Sequence, residues 1–159
     1  MRYLLIILTA TLLFSCDKSD EPIKGIIVDT AIEFSVSNSQ NVDLLNPENP
    51  NHIDAEGIKL FYVIDGETKE VYDQNMDAPR NFHVYKHENG HRIRVFLNDS
   101  ETSDKPITYI QWSDIDTDTI EAIFKRPTNG IFVEKVWLNG DPIWERGDNT
   151  IDAKLVLTK

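Results

Sequence analysis

From about Gly25 onward, apolar residues recur at every second position. No stretch carries the repeat of about 3.6 residues that an amphipathic helix would show. Short runs rich in Ile, Val, Phe, Tyr and Thr alternate with clusters of Asn, Asp, Gly and Pro, the pattern of strands joined by turns. This spacing predicts strands over 31–37, 58–65, 69–73, 81–87, 91–98, 106–112, 119–126, 131–138, 142–145 and 151–158. The segment 38–57 contains Asn46-Pro47-Glu48-Asn49-Pro50-Asn51 and is expected to be the longest irregular loop.

Three Asn-Gly dipeptides fall between strand-like runs: Asn89-Gly90, Asn129-Gly130 and Asn139-Gly140. Asn-Gly suits a tight hairpin turn in which both central residues take positive φ. A two-residue turn at Asn89-Gly90 sets Lys86 opposite Ile93, Val84 opposite Val95 and Phe82 opposite Leu97. Phe82, Val84, Ile93, Val95 and Leu97 then share one face. His83, Tyr85, His87, Arg92 and Arg94 take the other, a polar and partly cationic surface suited to a carbohydrate or an acidic partner. The same reasoning at Asn129-Gly130 sets Lys125 opposite Glu134 and Ile123 opposite Val136. At Asn139-Gly140 it brings Trp137 and Trp144 to one face.

Strands 106 to 145 thus read as a continuous antiparallel meander, with 58–65 and 131–138 in central positions. Short strands with tight connections predict an all-β fold, an antiparallel β-sandwich that is Ig-like in general shape. A small up-and-down β-barrel is the alternative.

The first residues follow a different rule. One positive charge at Arg2 precedes about a dozen mostly apolar residues, the length of a signal-peptide core and short of the ~20 needed to span a bilayer. The run ends in Leu13-Phe14-Ser15-Cys16, and Cys16 is the single cysteine of the chain. A lone cysteine excludes an internal disulfide and a thiolate metal cluster. Asp17-Lys18-Ser19-Asp20-Glu21-Pro22 is polar, acidic and closed by proline, as a flexible tether would be. The expected organisation is a signal peptide over 1–15, a tether over 16–29 and one β domain over 30–159.

Composition narrows function by exclusion. The 159 residues hold 16 Lys and Arg against 27 Asp and Glu, a formal charge of -11. Phosphate recognition needs clustered cations, so a nucleic-acid partner is not expected. No nucleophile elbow, zinc-binding His-Glu-x-x-His or phosphate-binding glycine loop occurs. His83, His87 and His91 are evenly spaced. In a hairpin, however, His83 and His87 lie ~13 Å apart along one face and His91 turns to the other, which argues against a zinc site.

Asp114, Asp116 and Asp118 alternate as carboxylates do in an oxygen-coordinated calcium loop. Thr119 and Lys125 stand where the helix-loop-helix version needs glycine and glutamate, so further ligands such as Asp148 or Asp152 would be required. The other reading is an acidic hairpin whose side chains bond their own backbone. Trp112, Trp137 and Trp144 all fall in the meander, as a sugar-stacking platform or as core.

Leu13-Phe14-Ser15-Cys16 resembles the lipobox of bacterial lipoproteins. That resemblance implies a diacylglycerol thioether on Cys16, cleavage before it, and acylation of the new amine by a fatty acid such as palmitate. With the acidic tether and the compact β domain, the chain is similar to small cell-envelope lipoproteins of the Bacteroidota type. So are the segments Ile107-Thr108-Tyr109-Ile110-Gln111-Trp112, Asp116-Thr117-Asp118-Thr119-Ile120 and Val136-Trp137-Leu138-Asn139-Gly140. The implied location is the outer membrane, facing the periplasm or the cell surface. The implied role is a non-enzymatic binding or accessory module for a protein or glycan. The alternatives are an immunity or inhibitor lipoprotein that neutralises a basic toxin or hydrolase, and an envelope glycan hydrolase.

Overall fold

The computed structural model describes residues 25–147 and 155–159. Cys16, the segment before it, and Asp148 and Asp152 lie outside the described residues. Eleven strands are present among the described residues: β1 (Ile27–Asp29), β2 (Ala31–Ser37), β3 (Lys59–Ile64), β4 (Glu67–Glu70), β5 (Phe82–His87), β6 (Gly90–Phe96), β7 (Ile107–Ser113), β8 (Asp116–Lys125), β9 (Gly130–Leu138), β10 (Asp141–Glu145) and β11 (Leu155–Thr158). No helix occurs among the described residues.

The strands form two sheets, a seven-stranded one in the order β1-β9-β8-β7-β3-β4 with β10 also on β9, and a four-stranded one in the order β11-β2-β6-β5. Alternation decides how they pack. Ile32, Phe34 and Val36 of β2 and Ile93 and Val95 of β6 are buried on one side. Leu60, Ile110, Trp112, Ile120, Ala122, Val133 and Val136 are buried on the other, and all belong to one core. Two sheets sharing one apolar interior make the fold a β-sandwich. Each of those Ile, Leu, Val and Phe side chains contributes about 1.5–3 kcal/mol by leaving water, which fixes which face of each strand looks inward.

Most pairs are antiparallel. The exceptions are β1 beside β9 and β11 beside β2, which run parallel. β1 falls in the stretch read from sequence as tether. It approaches β9 closely: a Cβ on Gly130 would stand 2.7 Å from the Ile27 carbonyl oxygen, so only glycine fits there. Between the sheets, the Tyr62 hydroxyl of β3 donates to the Phe96 carbonyl of β6 at 2.7 Å and accepts from Asn81. Burial, with the negative charge of Asp99, pushes the Tyr62 hydroxyl up to about 12, so it remains a donor at every physiological pH. Buried Asn98 makes a second polar cross-tie, donating to the carbonyls of Val63 and Ile107.

The turns obey local chemistry where no distant group competes. Asn139 and Gly140 take φ of 52° and 89°, and Leu138 faces Asp141, as expected. Asp65 and Gly66 form a second turn of this kind, φ 54° and 80°, which starts β4 at Glu67, two residues earlier than read from sequence.

The β5–β6 hairpin differs from expectation. Its turn falls on Glu88-Asn89, so Val84 faces Ile93 and Phe82 faces Val95. The cause is distant: the Asp43 carboxylate, in the long loop, accepts the His91 backbone N–H at 2.9 Å and pins the start of β6. The displacement is one residue on each strand, so the two faces are unchanged.

At Asn129-Gly130, a wider loop closes with Gly130 N–H donating to the Pro127 carbonyl. A bulge between Ile123 and Phe124 then sets Ile123 opposite Lys135 and Lys125 opposite Phe132. Lys125 still reaches Glu134 diagonally, Nζ to Oε1 2.9 Å.

Candidate functional site

The three aspartates of the β7–β8 hairpin separate. Asp114 sits in the turn, exposed. Asp116 and Asp118 share the inward face of β8, and Lys159 enters between them from just past β11. Its Nζ lies 2.7 Å from Asp116 Oδ1 and 2.6 Å from Asp118 Oδ2. Trp112 Nε1 donates to Asp118 Oδ2 at 2.8 Å, and Asn139 Nδ2 donates to Asp118 Oδ1 at 2.8 Å. Burial alone would raise the Asp118 carboxyl. The bonds from Asn139, Lys159 and Trp112, with the lysine charge, outweigh it and hold the group below the usual aspartate range. A protein ammonium thus occupies the space between two of the proposed calcium ligands. Among the described residues, no three His, Cys, Asp or Glu side chains gather as a metal site.

The tryptophans also separate. Trp112 is core, 5% exposed. Trp137 lies on the outer face of the large sheet, with Lys105 Nζ 4.0 Å from its ring centroid. Trp144 was expected on that same face. A bulge between Pro142 and Trp144 sets it opposite Val136 instead, packed against the core. The period-two rule fails at one inserted residue, and every later side chain changes sides.

That reversal places Trp144 in a cleft of about 290 Å³ whose lining includes Asp29, Glu33, Arg92, Arg94, Phe96 and Arg146. Apolar walls come from Val28, Ile32 and Val133. Three guanidiniums face two carboxylates. Arg146 Nη2 bonds Asp29 Oδ2 at 2.6 Å, its Nε bonds the Val133 carbonyl at 2.8 Å, and its Cζ stands 5.6 Å from the Trp144 ring centroid. Arg94 Nε bonds Glu33 Oε1 at 2.7 Å, and Arg92 Nη1 lies 3.3 Å from Glu33 Oε2. Burial acts to raise Glu33, but bonds from Tyr85, Arg94 and Arg92 bring its carboxyl below the usual range. The Trp144 indole Nε1 is shielded from solvent and has no hydrogen-bond partner among the described residues. A buried donor left unmade costs about 1–3 kcal/mol, so an acceptor brought into reach of it would be bound with that much advantage.

Arg92 and Arg94 were legible as the polar half of an alternating strand. Arg146, Asp29 and Glu33 carry no signal that joins them, since nothing in local spacing links residues so far apart along the chain. His83 and His87 lie with Tyr85 on the outer face of the four-stranded sheet, and His91 turns instead to Asp43, Nδ1 to Oδ2 3.1 Å.

No family model, curated protein or solved structure matches this chain.

Proposed function

We propose that this protein is a lipid-anchored binding module of the bacterial cell envelope whose cleft takes a glycan bearing carboxylates. The observation that carries the reading is the surplus of guanidinium over carboxylate in one cleft of a chain whose net charge is -11. Arginine presents paired donors that match a carboxylate, and the rings of Trp144 and Phe96 offer apolar faces for a pyranose. A pocket with apolar walls and a few convergent polar groups is the usual form of a small-ligand site.

Binding rather than hydrolysis is favoured. A glycosidase acid needs a raised pKa, whereas Glu33 is drawn down by its arginine partners. Calorimetry with an oligogalacturonate is expected to show salt-sensitive binding, weakened about tenfold by Arg146→Ala, the worth of a charge-assisted hydrogen bond. Absence of heat with this probe at low salt would remove the reading.

The anchor rests on Leu13-Phe14-Ser15-Cys16. Two or three acyl chains hold a protein to a bilayer where one does not. Cys16→Ala is expected to move the protein from the membrane fraction to the soluble one. An unchanged distribution would count against lipidation.

A further inference from the structure

The four-stranded sheet ends at β5, and among the described residues no strand pairs with its outer edge. In an antiparallel pair, residues alternate between those that exchange backbone hydrogen bonds and those that exchange none. His87 and Gly90 close the hairpin, and Phe96 N–H donates to the Asn81 carbonyl at 2.9 Å. Both contacts belong to one alternation. Asn81, His83, Tyr85 and His87 therefore turn their backbone groups to β6, while those of Phe82, Val84 and Lys86 point away from the sheet.

Other edges are blunted in ways this one is not. β4 reads Glu67-Thr68-Lys69-Glu70 and is exposed throughout. Short, charged edges of that kind resist pairing. β10 carries Pro142 and a bulge. β5 has six residues, no proline and an unbroken register. On its inward side, Phe82 and Val84 are only partly buried against the core. On its outward side stand His83, Tyr85 and His87, with Arg94 6.0 Å from the Tyr85 ring centroid.

We propose that β5 is the docking edge for an extended segment of a protein partner in which apolar and acidic residues alternate. Its backbone would add a fifth strand by bonding Phe82, Val84 and Lys86. Its apolar residues would complete the burial of Phe82 and Val84. Its carboxylates would lie on the outward side beside His83, Tyr85 and His87, near the Arg94 guanidinium that Glu33 also engages, while Lys86 stands on the inward side with Phe82 and Val84.

A second copy of the chain is a poorer occupant. Two β5 strands side by side would oppose Lys86 and the imidazoles to themselves, and each chain carries -11. This edge shares Arg94 with the cleft but not Trp144 or Arg146, so Val84→Pro tests the edge and Arg146→Ala the cleft separately.

The test is amide hydrogen exchange of the full chain with a blocked heptapeptide alternating valine and glutamate. The Phe82, Val84 and Lys86 amides are expected to slow about tenfold or more on binding. A valine–lysine peptide should leave them unchanged. Val84→Pro removes an N–H that makes no ladder bond, so it should abolish binding while the protein stays folded. Should that variant unfold, Lys86→Pro near the strand end reads the same loss. Unchanged exchange with saturating peptide, equal binding by the folded proline variant, or protection arising from self-association alone would each overturn the proposal.

Discussion

Two clusters of opposite charge lie in this sandwich, and they differ in one respect. Around Asp118 every polar group is answered: Lys159, Trp112 and Asn139 all donate to it, and Asn139 Oδ1 accepts the Thr119 backbone N–H at 2.9 Å. Around Glu33 and Asp29 the accounting stays open, with three guanidiniums to two carboxylates and, among the described residues, no acceptor for the Trp144 indole N–H. A closed network specifies a structure, because each member is costly to remove. An open one retains interaction energy for a molecule from outside. Both clusters contain a tryptophan beside a cation, so residue type alone does not separate them.

The largest break is expected at Asp118→Ala. It leaves Lys159 and the Trp112 indole without their buried acceptor, and should cost about 3 kcal/mol in denaturant unfolding. The same carboxylate sets a pH dependence. Its folded pKa lies below the ordinary 3.8. The stabilisation it provides is complete above that value and is lost as pH falls through the lowered one. The wild type should therefore lose stability below pH 3.8 more steeply than Asp118→Ala does. Parallel acid titrations would contradict the closed-network account.

A finer comparison makes one substitution at two sites. Trp112→Phe takes a donor from Asp118 and should cost about 1–2 kcal/mol in hydrogen bonding alone. Trp144→Phe removes a buried donor without a partner among the described residues, so relief of about 1–3 kcal/mol offsets the packing lost with the larger ring; it should destabilise the protein less than Trp112→Phe does, while weakening oligogalacturonate binding. Equal destabilisation by the two would erase the distinction.

Much of the sandwich was legible because strand faces follow local alternation, and the inward sets of β6, β7 and β8 follow it directly. Registers were legible only where a turn had no competitor. Asn139-Gly140 had none. Asn89-Gly90 competed with Asp43, a contact 48 residues away in sequence, and lost. The side taken by Trp144 depended on a one-residue bulge beside Pro142, which alternation cannot foresee. Local spacing in the acidic stretch leaves a calcium loop and a self-bonded hairpin both open, and it cannot show the Lys159 contact, 43 residues from Asp116. Parallel pairing was equally hidden, since no turn signal joins strands that a hairpin cannot connect.

Those parallel pairs have a kinetic consequence. Ile27 sits beside Gly130 and Leu155 beside Phe34, each across more than a hundred intervening positions. Closing such long loops loses chain entropy before the contacts repay it, whereas tight hairpins such as β5–β6 and β9–β10 close locally. Assembly therefore begins in the meander and ends when β1 and β11 slot in. A chain of this topology refolds on the order of milliseconds to seconds, a delay during which a newly made copy still shows raw sheet margins to its neighbours.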